Sequence, residues 1–231
     1  MRRVWFISAS LLFLLVSNLG AQTTTEVEIT AEPSHHLAID NEYVRVFKVE
    51  VAPHAATLMH RHRHDYVFVT IGAADISNEV AGKPPEELKL ADGDTHFSPG
   101  NFAHVARNLS SQPFRNVTIE FLQDRSSQAR WSMETGEKAF PGGHLNILFI
   151  KDGARVSETY LDPGATVPMH RHDEPHLAVA VTDLDFRSDV DRGGSSTITM
   201  KAGDVKWLPG GFSHTVTNVG TSPARFVSVE F

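Results

Sequence analysis

The chain holds 231 residues, 41% hydrophobic and 21% charged, with 16 Gly, 12 Pro and no Cys. That mixture excludes disordered, collagen-like and disulfide-stapled chains and calls for a buried core. Twenty-one basic residues against 28 acidic ones leave a net charge of −7, which argues against nucleic acid as a partner.

Residues 1–21 open with Arg2 and Arg3, continue through an apolar run that includes Val4, Trp5, Phe6 and Leu11 to Val16, and finish at Gly20-Ala21. A basic start, an apolar centre interrupted by Ser8, Ser10, Ser17 and Asn18, and a small-residue end read as a cleaved signal peptide rather than a membrane anchor. Its removal leaves 19 basic residues against 28 acidic, or −9. A periplasmic or secreted location follows as an expectation, with no membrane attachment after cleavage, and the lack of Cys suits an oxidising compartment.

Shifting the remainder by 110 positions superposes one half on the other without a gap. Met59-His60-Arg61-His62 falls on Met169-His170-Arg171-His172, and Gly93-Asp94 on Gly203-Asp204. Pro99-Gly100, Phe102, His104 and Asn108 fall on Pro209-Gly210, Phe212, His214 and Asn218. Arg45, Arg115, Glu120 and Phe121 fall on Arg155, Arg225, Glu230 and Phe231. A fixed-offset repeat means a duplicated structural unit. The expected organisation is a first unit at 37–121, a polar linker at 122–143 and a second unit at 144–231. Within each unit, stretches rich in Val, Ile, Phe and Thr alternate with Pro/Gly/Asp turns: Tyr43 to Val51, Tyr66 to Ile71, Val117 to Phe121, Leu177 to Val181, Thr197 to Met200 and Phe226 to Phe231. These predict short strands closed into two barrels, since closure removes exposed sheet edges.

His60 and His62 stand two apart in a strand and so share a face, as do His170 and His172. Four residues on come Tyr66 in the first unit and His176 in the second, and after the Pro-Gly turn His104 and His214 return on another strand. Three or four converging imidazoles suit a divalent transition ion: Fe, Zn, Mn, Ni or Cu. His35, His36, His54 and His144 have no histidine at the repeat position and are expected at the surface. Asn108 and Asn218 either bond near the ion or hold the turn. The Arg45/Arg155 and Glu120/Glu230 pairs suit a duplicated ion pair or a ligand-binding role.

These residues resemble the two motifs of the cupin superfamily, G(x)5HxH(x)3,4E(x)6G and G(x)5PxG(x)2H(x)3N. The second half carries Gly164, His170 and His172, with His176 at the Glu position, and then Gly203, Pro209, Gly211, His214 and Asn218. The first half carries His60 and His62 without the leading Gly, Tyr66 at the Glu position, and Gly93, Pro99, His104 and Asn108 with Asn101 for the second Gly. The resemblance covers nearly all of the mature chain. It implies an all-β bicupin, two tandem jelly-roll-like barrels after the signal peptide, with metal ligands His60, His62 and His104 in one and His170, His172, His176 and His214 in the other. Tyr66 is then a ligand if ionised, or a catalytic base beside the metal.

Replacing the Glu leaves the ion's charge uncancelled, which favours an anionic small-molecule ligand such as a carboxylate, enolate or diketonate. The expected function is an exported metal-dependent enzyme acting on a small oxygen-rich organic acid or diketone, by dioxygenation or by redox-neutral lyase or isomerase chemistry. A non-catalytic metal- and ligand-binding protein is the alternative. Phe68 and Thr70 face Ala178 and Ala180 across the repeat, so the second cavity is expected to be the roomier and the catalytic one. Barrels of this kind also pair through edge strands, so a homodimer is a further expectation.

Overall fold

The computed structural model describes residues 25–123 and 135–231; the expected signal peptide lies outside them. The described residues form twenty strands and one short 3-10 turn, Ile29–Ala31. Strands β1 (Val27–Glu28), β2 (His35–Asp40), β3 (Val44–Val51), β4 (His60–His62), β5 (Tyr66–Ile71), β6 (Ala74–Val80), β7 (Glu86–Leu90), β8 (Thr95–Ser98), β9 (Phe102–Asn108) and β10 (Phe114–Phe121) make the first half. The second contains β11 (Gly136–Phe140), β12 (Gly143–Lys151), β13 (Ala154–Leu161), β14 (Thr166–His172), β15 (His176–Ala180), β16 (Leu184–Val190), β17 (Ser195–Met200), β18 (Val205–Leu208), β19 (Phe212–Asn218) and β20 (Ala224–Glu230).

Each half closes two facing sheets. Their orders are β1-β4-β9-β6-β7 and β2-β3-β10-β5-β8 in the first, and β14-β19-β16-β17 and β11-β12-β13-β20-β15-β18 in the second. This is the two-barrel bicupin architecture, and β3 to β10 recur as β13 to β20. The inward residues of the strands expected from Val/Ile/Phe content supply the core. Val67, Val69, Ile119, Leu177, Val179 and Val227 are fully buried, and one apolar cluster runs through both halves.

The strands begin earlier than the repeat alone indicates, at Val27 and Gly136 rather than 37 and 144. The stretch expected to be a linker contains β11, which pairs antiparallel with β12. Its polarity hid this, because an outer strand on a sheet edge needs only one apolar face. Register places β11 opposite β1 in the repeat, yet β1 pairs in parallel with β4, Val27 against His60. The first His-bearing strand therefore has neighbours on both sides, whereas β14 pairs only with β19 among the described residues.

The repeated Pro-Gly turns have a steric cause. A Cβ on Gly100 would overlap the backbone of His64 and Asp65, and one on Gly210 that of Asp173 and Glu174. Only glycine lets the turn lie on the loop after each His pair. The next residue is left-handed in both halves, Asn101 at φ 66° and Gly211 at φ 85°, a conformation Asn tolerates better than other side chains. Asn108 donates to the carbonyls of Val51 (3.0 Å) and Gln112 (2.8 Å), and Asn218 to those of Leu161 (3.2 Å) and Ser222 (2.9 Å). Both asparagines hold turns.

Candidate functional site

Strand pairing decides which imidazoles meet. His60 lies directly opposite His104 in the β4/β9 ladder, and His170 opposite His214 in β14/β19. Directly opposed side chains in an antiparallel pair stand about 5 Å apart at Cβ, so each ladder fixes two donors on one inner face and the pleat adds His62 or His172.

In the second barrel the ligand atoms of His170, His172 and His214 all lie within 4.8 Å of one another, with Nε2 of His214 3.1 Å from Nε2 of His170. The opposite ring nitrogens are held. Nδ1 of His170 is 2.8 Å from the Pro168 carbonyl, Nδ1 of His214 is 2.7 Å from the Ser188 hydroxyl, and Nδ1 of His172 faces Glu230 Oε1 at 3.3 Å. Partners on Nδ1 select the tautomer whose Nε2 lone pair points at the shared centre. Burial pushes His214 down to about 4 and lowers His170 as well, so both are neutral at pH 7, the form that binds a metal. Three ring nitrogens on one point, each oriented from behind, fit a divalent transition ion.

Glu230 completes the arrangement. Burial alone would raise its carboxyl, but the hydrogen bond from His172 and the charge of Arg155 outweigh that and hold it at about 2. Arg155 Nε donates to Glu230 Oε2 at 3.0 Å. The recurrent Arg and Glu therefore form an ion pair that steers a histidine.

His176 does not join the triad. Its ring stacks on His172, centroids 3.8 Å apart and planes 14° apart, and its buried Nδ1 has no partner. Tyr66 stacks the same way on His62, at 4.0 Å and 18°. This corrects the expectation for both residues, and the cause is topological. β5 and β15 belong to the opposite sheet, so the side chain at the family's Glu position arrives beside the second His. Burial pushes the Tyr66 phenol up to about 12, so in the metal-free barrel it stays protonated at neutral pH.

The first barrel holds a different triad: His35, His60 and His62 have ligand atoms within 4.8 Å of one another. His35 is not at the surface as expected; its side chain is 5% exposed, and its Nδ1 is 2.7 Å from Glu32 Oε2. The repeat could not reveal it, because the matching residue is Leu145. The one available signal was Glu32 three residues before it, the spacing of an orienting carboxylate. His36 and His54 are exposed as expected, and His144 is half-buried against Tyr160. His104 is tied at Nδ1 to Asn78 Oδ1 (2.7 Å), and its buried Nε2, like that of His60, has no partner. Burial lowers His60 to about 4 and His62 to about 3.

The cavities differ as the small residues indicate. The second encloses about 380 Å³ and the first about 60 Å³, with Phe68 lining the first where Ala178 lines the second. Among the described residues, Lys138, Arg155, Arg171 and Lys206 line the second cavity with Glu230 as its only acid, and no Lys or Arg lines the first.

No protein-family model and no curated protein matches this chain. Solved structures do match in fold. A structure of Bacillus subtilis oxalate decarboxylase, reported with its Mn(II) centres, is 15% identical with a TM-score of 0.60, covering 82% of this chain and 69% of that one. A second, reported with the substrate binding mode and a reaction specificity switch, gives the same values. A third, a variant altered over four residues, reaches a TM-score of 0.61 at the same identity and coverage.

Proposed function

We propose that the chain is an exported, metal-dependent bicupin enzyme whose working centre is the second barrel, acting on a small organic acid. The observation that carries this is the His170, His172 and His214 triad opening into the larger, cation-lined cavity. A divalent ion held by neutral imidazoles keeps its full charge and polarises a bound oxygen, or presents it for oxygen chemistry. The chain's own residues do the rest. Arg171, Lys206 and Lys138 are exposed where the cavity meets solvent and attract an anion. His176 offers an unpartnered ring nitrogen beside the triad for a hydrogen bond to the ligand.

Leu184, Phe186, Ile198, Met200, Val216 and Phe226 line the deeper wall. A pocket with few polar groups and apolar walls fits a ligand with an acidic head and an apolar body, larger and less polar than oxalate. The structural likeness to an oxalate-degrading enzyme supports carboxylate chemistry on this fold, and the wall argues for a different acid.

The test is elemental analysis of the mature, untagged chain, followed by turnover of oxalate and of aryl- and alkyl-substituted keto acids and diketones under air and under nitrogen. Turnover of the substituted acids above oxalate supports the reading, and oxygen uptake assigns a dioxygenase over a lyase or isomerase. Tight binding of these acids to the metal-loaded chain without any turnover overturns it in favour of a non-catalytic binding protein.

A further inference from the structure

We infer that the first barrel is a second metal centre of different construction, structural rather than catalytic, in which His35 from the N-terminal segment serves as a ligand and Glu32 orients it. Three observations meet. The ligand atoms of His35, His60 and His62 share one small volume. The His35 ring sits 4.7 Å from that of His60 and 6.2 Å from that of His62, and its Nδ1 is occupied by Glu32, which leaves Nε2 toward the cluster. The buried Nε2 atoms of His60 and His104 lack any partner, a deficit that a bound cation removes.

Glu32 is itself fixed. It is 3% exposed and accepts from the backbone N–H groups of Leu58 (3.1 Å) and Ser34 (2.8 Å). A carboxylate that aims a histidine while bonding the loop before β4 is the arrangement that sharpens a ligand. The cavity beside the cluster holds only about 60 Å³, with Phe68 in its lining.

The ion such a site takes follows from its donors. Imidazoles from His35, His60 and His62, with His104 next to them, and no carboxylate among them, suit a borderline ion such as Zn(II), Cu(II) or Ni(II) more than Mg(II) or Mn(II). Closed sites with all positions filled by protein are structural, whereas catalytic ones keep a position open. Binding here would pin residues 27–35, including β1, against β4.

The test isolates this centre with His170→Ala/His214→Ala, which removes the second triad without touching the first. Chelator-stripped protein is reloaded with Zn(II), and the stoichiometry and Kd are measured. About one equivalent per chain is expected. Adding His35→Leu, the residue the second barrel has at this position, should weaken Zn(II) by at least tenfold, and Glu32→Gln by about tenfold, the usual range for an orienting partner. Circular dichroism identifies the folded variants. The Cu(II)-loaded form gives an independent reading, since nitrogen hyperfine structure in its EPR spectrum should lose one nitrogen in His35→Leu. Unchanged Kd and unchanged hyperfine structure in a folded His35→Leu variant overturn the inference, as does absence of Zn(II) binding in the His170→Ala/His214→Ala background. Neither result bears on the second barrel, whose metal is read in the otherwise unmodified chain.

Discussion

Two copies of one ladder sit in opposite surroundings. In the first barrel β1 covers the outer edge of β4, His60 is fully buried and Phe68 fills the space beside the histidines. In the second, β11 has turned away to the other sheet, β14 is left with one partner, His170 is only partly covered and Ala178 opens the interior. Identical His motifs thus do not imply identical surroundings: what differs is which strand lies beside the motif and how large one inward side chain is. Chemistry needs room for a ligand, and the second copy has far more of it, about 380 Å³ against about 60 Å³.

The sharpest way to break this contrast is to remove one histidine from each copy. His214→Ala should lower turnover by at least a hundredfold, since disturbing even the groups behind a ligand costs about 10–100-fold, while the loss in His104→Ala should be at least tenfold smaller. Equal losses, measured as kcat/KM with metal content, would end the assignment of the reaction to the second barrel.

The duplicated glutamates offer a test of opposite sign. Glu230 is paired with Arg155 and His172, so in the metal-free protein Glu230→Gln should cost about 2 kcal/mol at pH 7, the scale of losing a charged hydrogen bond in a largely buried pair. Glu120, 1% exposed, stands 3.8 Å from Arg45 and 3.6 Å from His62, neither of its oxygens is hydrogen-bonded, and burial raises its carboxyl. Glu120→Gln should therefore be neutral or stabilising. The pH dependence separates them. Glu230 is held at about 2, so its contribution is complete above the ordinary carboxylate range and drains away as pH falls toward 2. Glu120 is shifted upward, so its contribution is complete at low pH and is lost as pH rises through its raised value. Urea midpoints for the wild type and both variants between pH 3 and pH 7 decide; equal costs at pH 7 would show the two environments to be alike.

A smaller effect comes from exchanging the cavity residues. Ala178→Phe should weaken binding of a substituted acid by about tenfold, the loss of roughly 1.4 kcal/mol of contact, with Zn(II) content unchanged. The reverse, Phe68→Ala, should cost about 2 kcal/mol of stability for a half-buried aromatic and create no activity. Undiminished affinity in Ala178→Phe would place the ligand elsewhere.

Much of this was legible in the residue order because duplication doubles the signal. The strands around Val67, Val117 and Val179, the His60/His104 and His170/His214 pairs and the roomier second cavity all follow from residues that recur or differ at one offset. What the offset could not carry was invisible for the same reason. His35 matches a leucine, and β1 and β11 match in position but not in pairing partner, a choice made by tertiary packing. His176 and Tyr66 carry the right spacing but the wrong approach, since their strands belong to the facing sheet and deliver a ring's face rather than its nitrogen.

The apolar cluster that runs through both halves has a consequence for how the molecule comes apart. Phe121 and its counterpart Phe231 touch edge to face at 6.1 Å, Tyr43 rests on Trp207 and Phe231, and Lys48–Asp204 and Arg225–Asp92 clasp the seam. A residue meeting its own duplicate is the mark of a local twofold, the relation found at the face of a symmetric dimer. The chain therefore carries internally the mate that a lone barrel would have to find by collision. Melting should accordingly be a single cooperative event, and severing the halves would leave each with a bare, sticky flank.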